Sequence, residues 1–212
     1  RELNQDLKKE SDLGALKVGA TLTIGNYLAV GILTQYRGEH PEAEVALEVA
    51  NTAAIVEKVA NFELDIGMIE GELNHPDLSL QPWQKDELVI ICAPDHPWAG
   101  KPWLRDDDLV RADWILRESG SGTRQAFDRA MHGLLPQFKP PLELQHTEAI
   151  KRAVESGMGL GCLSRLCLQD AFDRGTLVPL PVPERPMDRQ FYLALHKRKF
   201  RSRAIHQWIE LC

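Results

Sequence analysis

The sequence predicts an α/β fold built as two similar lobes. Three observations carry this expectation: strand and helix periodicities alternate along the chain, the same β-α-β-α-β order occurs twice, and a proline run precedes one last strand and helix. One doubly wound sheet without a cleft is the alternative. The 212 residues allow one large domain or two small ones. With 43% hydrophobic and 26% charged residues, the balance is that of a globular chain, which excludes disorder and collagen-like repeats.

Leu3 and Leu7 form a narrow apolar seam among charges, which reads as the end of a longer helix over Arg1 to Glu10. After Ser11-Asp12, Leu16, Val18 and Ala20 alternate as a strand, and Thr21-Leu22-Thr23 leads into a helix from Tyr27 to Arg37 with Leu28, Ile32, Leu33 and Tyr36 at helical spacing. Val45, Leu47 and Val49 make the next strand. Asn51-Thr52 then opens a helix with Ile55, Val56, Val59 and Phe62 on one side. Asp65 to Glu70 is a third strand and Leu78 to Trp83 a fourth. Strands spaced by single helices pair in parallel with right-handed crossovers.

Glu87 to Ala93 is a nearly continuous apolar run, the pattern of a strand buried on both faces. A loop bearing Pro94, Pro97, Trp98 and Pro102 leads to the Trp114-Ile115-Leu116 strand, and the segment Ser119-Gly120-Ser121-Gly122-Thr123 opens a helix carrying Ala126, Phe127, Ala130 and Met131. Leu142 to Gln145 is a strand, Thr147 to Ser156 a helix stopped by Gly157, and Gly159 to Leu163 a strand. Ser164 caps a helix reaching Gly175, and Thr176 to Leu180 ends the set. Pro179, Pro181, Pro183 and Pro186 read as an extended linker. Arg189 to Leu195 is the final strand, and Ser202 to Leu211 the final helix with Ile205, Trp208 and Ile209 inward.

The formal charge of −6 argues against a chain-wide nucleic-acid footprint, and only His196 to Arg203 reads as a basic patch. No stretch approaches the ~18 apolar residues that span a bilayer, and the first ten residues are too polar for a signal peptide core. The expectation is a soluble, cytoplasmic chain with no membrane partner. Cys92, Cys162, Cys167 and Cys212 show no metal-ligand or CxxC spacing and read as reduced thiols.

In parallel α/β units a ligand sits beyond the carboxyl ends of the strands, where helix N-termini collect. Four such turns stand out: Thr21-Leu22-Thr23, Asn51-Thr52, Ser119 through Gly120, Ser121 and Gly122 to Thr123, and Thr147-Glu148. Each carries hydroxyls or small polar groups, which cap a helix and leave NH groups and the positive end of the dipole pointing outward. Taken singly, each reads as a good N-cap. Together they predict a site for a small anion. Glu148 is the odd member: it would repel a dianion unless neutral, and as a first-turn acid it has a purely helical role.

The Gly120 to Arg124 segment lacks the spacer and Lys of a phosphate P-loop, and Gly157-Met158-Gly159-Leu160-Gly161 lies between helix and strand, the reverse of the dinucleotide fingerprint. It reads as a helix C-cap and a tight lead into a strand. The seven histidines are scattered, with His146 beside the Thr147 turn the one of interest. No catalytic constellation, metal site or cofactor is expected.

Five ordered blocks resemble the effector-binding domain of LysR-type transcriptional regulators: Ala15 to Leu28, Phe62 to Gly71, Asp86 to Ala99, Trp114 to Arg124 and Glu148 to Arg165. The resemblance covers residues 12 to 211. Its wording around Thr23 and Arg117 is similar to the branch that senses sulfite or related sulfur anions. It implies a type II periplasmic-binding-protein-like fold, two lobes joined by two crossing strands with the ligand cleft between them. Residues 1–11 would be the end of a linker helix, 12–83 plus 188–212 the first lobe and 84–187 the second, with hinges near Trp83 to Asp86 and Glu184 to Asp188. It also implies side-by-side dimers, tetramers in the longer protein, and promoter DNA as partner through an N-terminal winged helix-turn-helix outside this chain. Ligand positions carry over to Thr21, Thr23, the Asn51 to Ala53 turn and Ser119 to Thr123. Ile24 departs from the polar amide of the sulfate sensor, and Ala29-Val30 from a frequent Leu-Pro. A transporter's solute-binding protein and an anion-processing enzyme share this scaffold and are the competing readings.

Overall fold

The computed structural model describes residues 13–212; the expected linker-helix end lies outside the described residues. Two compact units divide the chain, one holding the described residues up to Trp83 with Phe191–Cys212, the other Gln84–Gln190.

In the first unit β1 (Leu16–Ala20) pairs in parallel with β2 (Val45–Val49) and β3 (Ile66–Glu70), and β3 pairs antiparallel with β9 (Asp188–His196). The sheet order is β2-β1-β3-β9. Helix α1 starts at Leu22, earlier than the expected Tyr27, and runs as an α-turn (Leu22–Ile24), a π-segment (Gly25–Ala29) and a longer α-helix (Val30–Glu39). Gly25 explains the early start: an added Cβ would meet Val49 Cγ2 at 2.7 Å, so only glycine lets the helix lie against β2. Helix α2 (Thr52–Ala60) buries Ile55, Val56 and Val59 against Leu64 and Ile69. Phe62, expected on the same side, lies beyond the helix at φ 59 and is 51% exposed.

In the second unit β5 (Trp114–Leu116) lies between β6 (Leu142–Glu143) and β7 (Leu160–Ser164), parallel to both. β4 (Leu78–Cys92) runs antiparallel between β7 and β8 (Val178–Leu180). The order β6-β5-β7-β4-β8 repeats that of the first unit: first strand central, second outside it, third inside, then an antiparallel neighbour. Leu88, Ile90 and Cys92 enter one core and Val89 and Ile91 the other, so this end of β4 is buried on both faces as its unbroken apolar run predicts.

Several elements depart from expectation. The strands expected at Leu78 to Trp83 and Glu87 to Ala93 are one 15-residue strand, because backbone pairing continues through the polar Gln84-Lys85-Asp86 that periodicity reads as a break. Helix α3 (Asp106–Arg111) lies within the stretch that the sequence reads as a loop leading to Trp114. At its start the Asp108 side chain reaches back and accepts from Arg105 N at 3.0 Å. The 9-residue helices α4 (Gly122–Ala130) and α5 (Thr147–Glu155) follow expectation. Ser164 caps a short 3-10 turn, Arg165–Cys167, and α6 (Gln169–Arg174) follows it. The chain passes between units at Trp83/Gln84 within β4 and Gln190/Phe191 within β9, the second point beyond the proline run. Helix α7 (Arg203–Glu210) buries Ile205 and Trp208, with Trp208 against Tyr36 of α1.

All four cysteines are free, and burial pushes the thiols of Cys92 and Cys162 up to about 11 and about 12. Among the described residues no helix is long and apolar enough to cross a membrane, and no group of His, Cys, Asp and Glu is placed to hold a metal ion.

Candidate functional site

The turns singled out in the sequence follow the first and second parallel strands of each unit. In the first unit these are β1 and β2, adjacent and parallel, so the tips of α1 and α2 emerge side by side at one sheet edge. Thr21 is the N-cap of α1 and is 2% exposed, with its NH on Met68 O at 3.1 Å. Its hydroxyl caps nothing, and Thr21 Oγ1 is a buried oxygen without a hydrogen-bond partner. A buried hydroxyl in that state costs about 1 to 3 kcal/mol.

The other first-unit residues are engaged. Asn51 Oδ1 accepts from Ala54 N at 3.0 Å and caps α2. Thr52 Oγ1 donates to the Glu70 carbonyl at 3.1 Å. Thr23, buried, donates its NH to the Glu70 carboxylate, Oε1, at 3.1 Å. Glu70 is 1% exposed at the end of β3 and thereby ties both helix tips together. This corrects the picture of outward-pointing NH groups left open to a ligand: one of them is already held by an internal carboxylate. Glu70 was missed because it closes an apolar strand, where a lone acid reads as a strand end facing solvent.

In the second unit Gly120 adopts φ 94, a conformation suited to glycine, and turns the chain so that Ser121 becomes the N-cap of α4, accepting from Arg124 N at 3.2 Å. Ser119 is exposed, while Ser121, Gly122 and Thr123 are buried. The loop is braced from within: Arg124 Nη1 donates to Arg117 O at 2.9 Å, and buried Arg117 pairs with Glu118 at 2.8 Å. Thr123 Oγ1 accepts from Arg189 Nη1 at 3.1 Å. Arg189 is fully buried and pairs through Nε with Asp86 Oδ2 at 2.7 Å, and Ser164 Oγ donates to Asp86 Oδ1 at 2.8 Å. A guanidinium thus sits at the positive end of α4, and the Asp86 carboxylate pairs with it. Neither Arg189 nor Asp86 was among the expected site residues, since they lie 66 and 37 positions from Thr123 and carry no local motif.

Thr147 begins α5 and is 3% exposed. His146, its N-cap, makes no side-chain cap, and Thr147 Oγ1 is a second buried hydroxyl without a partner. Glu148 is 62% exposed and pairs with Lys151 at 3.2 Å, the geometry of a first-turn helix acid. The Gly157 to Gly161 segment is a helix stop and strand lead: Gly157 has φ 83, and Gly159 at φ 155 packs on the Asp113 carbonyl.

Each unit therefore offers two adjacent helix tips with one unsatisfied buried hydroxyl, Thr21 in one and Thr147 in the other, and the second unit adds a buried cation. Hydroxyl and NH donors of this kind can hold a small molecule by hydrogen bonds. The model of the LysR substrate binding domain matches residues 9–212, and the chain belongs to that family. It is 38% identical over 201 residues to the HTH-type transcriptional regulator YeiE of Escherichia coli K12, covering 95% of this chain and 68% of that protein. To CysL of Bacillus subtilis it is 37% identical over 158 residues, covering 74% of this chain and 52% of the relative. The chain thus spans about two thirds of one relative and about half of the other. Among solved structures, the CcmR regulatory domain of Synechocystis PCC6803 in complex with 2-PG superposes with TM-score 0.84 at 32% identity, covering 93% of this chain and 94% of that one. The effector binding domain of QuiR in complex with shikimate shares the fold, with TM-score 0.80 at 20% identity over 93% of this chain and 94% of that one. The relatives are transcriptional regulators, which sets aside both the enzyme and the transporter readings.

Proposed function

We propose that this chain is the effector-sensing domain of a LysR-type regulator and that its effector is a small anion, a sulfite-like oxyanion or a small carboxylate. The observation that carries the reading is the pair of buried, partnerless hydroxyls, Thr21 and Thr147, at N-terminal helix tips. An anion accepts from both kinds of donor, and Arg189 supplies charge beside Thr123. Thr23, Asn51, Thr52 and Ser119 to Thr123 shape the surroundings. The similarity to a CcmR regulatory domain solved with 2-PG supports a small-molecule effector. Because Glu70 already holds the Thr23 NH, the effector carries a proton or hydroxyl where it approaches that carboxylate. Effector affinity would differ between two arrangements of a dimer or tetramer, and that difference would be passed to promoter DNA held by an N-terminal helix-turn-helix in the cytoplasm.

A thermal-shift panel of sulfite, sulfate, phosphate and small carboxylates tests the reading. A true effector at 100 times its dissociation constant adds about 2.7 kcal/mol to stability. For that effector, Thr21→Val and Thr147→Val each weaken binding by about 1 to 3 kcal/mol, while the free domain keeps or gains stability because a buried unpaired hydroxyl has gone. A panel without a single shift, or unchanged calorimetric affinity in both variants, removes the assignment.

A further inference from the structure

The segment from Lys197 to Arg203 places five of the chain's 25 Lys and Arg within seven positions, and no Asp or Glu occurs from residue 189 to 209. The whole chain is acidic, so this is a local concentration of charge rather than a consequence of composition. β9 runs antiparallel to β3, with Ala194 opposite Gly67, so the segment leaves β9 at the amino-terminal edge of the parallel strands, opposite the Thr21 and Asn51 turns. At that edge Asp65 accepts from Lys17 N at 2.7 Å and pairs with Lys199. Lys17 is exposed near the start of β1.

Much of this charge is not neutralised. Arg198 and Arg201 are exposed and make no ion pair among the described residues. Lys197 Nζ donates to the Pro76 carbonyl at 2.6 Å, which orients the ammonium without cancelling it. Two aromatics stand among the cations. Phe200 is 83% exposed, and Phe62, held at φ 59, packs tilted against His196 with ring centroids 4.1 Å apart. A left-handed backbone is a genuine outlier for so bulky a residue, and burial does not repay it.

We propose that the His196–Arg203 segment, with Phe62, is a contact surface for the phosphate backbone of duplex DNA. Fixed cations such as Lys197, Arg198 and Arg201 meet a polyanion by displacing its counterions, and exposed rings between them lie against sugar. The chain's relatives are HTH-type regulators, which makes duplex DNA the polyanion within reach. The inference uses the first unit alone and is independent of the effector reading.

Fluorescence anisotropy of a labelled 30-bp duplex of arbitrary sequence, titrated with this chain, tests it. Three phosphate contacts, through Lys197, Arg198 and Arg201, give a log–log salt slope of about −2.7, or roughly 40-fold weaker binding at 200 mM than at 50 mM salt. The double variant Arg198→Glu with Arg201→Glu is expected to bind at least tenfold more weakly at 50 mM with an unchanged melting temperature. Phe200→Ala loses several-fold, and Arg174→Glu, an exposed change in α6, loses nothing. No binding at 50 mM salt, equal affinity in the double variant, or an equal loss in Arg174→Glu overturns the proposal. So does tighter binding to phosphatidylserine vesicles than to the duplex.

Discussion

Asp86→Asn isolates the largest electrostatic commitment in the second unit. Asp86 and Arg189 are 3% and 0% exposed with 2.7 Å between Oδ2 and Nε. The amide keeps the shape of the carboxylate and leaves an oxygen for Ser164 Oγ, yet its NH2 faces the Arg189 Nε–H, donor against donor. Arg189 cannot shed its proton, so the variant buries that cation without its Asp86 partner. Removing one partner of a buried pair costs about 3 to 5 kcal/mol. For a chain of this size each kcal/mol lowers the midpoint by about 2 to 4 °C, so calorimetry should register a fall of about 6 to 20 °C in the transition that includes the second unit. Asp86→Leu combined with Arg189→Met removes both charges and should recover most of that loss. A single variant costing under about 1 kcal/mol in urea unfolding, or a double variant no better than the single, refutes the account.

Two further outcomes follow from local geometry. Gly159→Ala should destabilise by at least about 1 to 3 kcal/mol, since a Cβ there lies 2.2 Å from the Asp113 carbonyl oxygen at φ 155, and Gly157→Ala, with open space at φ 83, should cost less; denaturant midpoints of the two compare them directly. Hydrogen bonds from the Arg105 NH and the Lys101 ammonium hold the Asp108 carboxyl below its ordinary 3.8. Its contribution is therefore complete above that value and lost as pH falls below it. Asp108→Ala should cost about 1 to 2 kcal/mol at neutral pH, and the difference from the parent protein should shrink in acid unfolding curves taken below about pH 4.

How much was readable before the fold depended on the range of each interaction. The repeated strand-helix order follows from periodicities spanning a few residues, and Asn51 and Ser121 cap α2 and α4 through contacts three residues away. Short elements with few apolar residues escaped: α3 has Leu109 as its main core residue, and Gln84-Lys85-Asp86 looked like a break. At Phe62 the period-based expectation failed because the helix had already ended at Ala60.

The sequence by itself determined the class of architecture, the order of its elements and the placing of hydroxyl-bearing turns after successive parallel strands, because periodicity, caps and turn residues act locally. Only the tertiary structure decided what those turns face. Thr23 meets Glu70 across 47 positions, and Arg189 meets Thr123 across 66 and Asp86 across 103. It likewise left Thr21 and Thr147 without partners. Such pairings depend on which strands become neighbours, and that is set by burying the whole sheet rather than by any neighbouring residue in the chain.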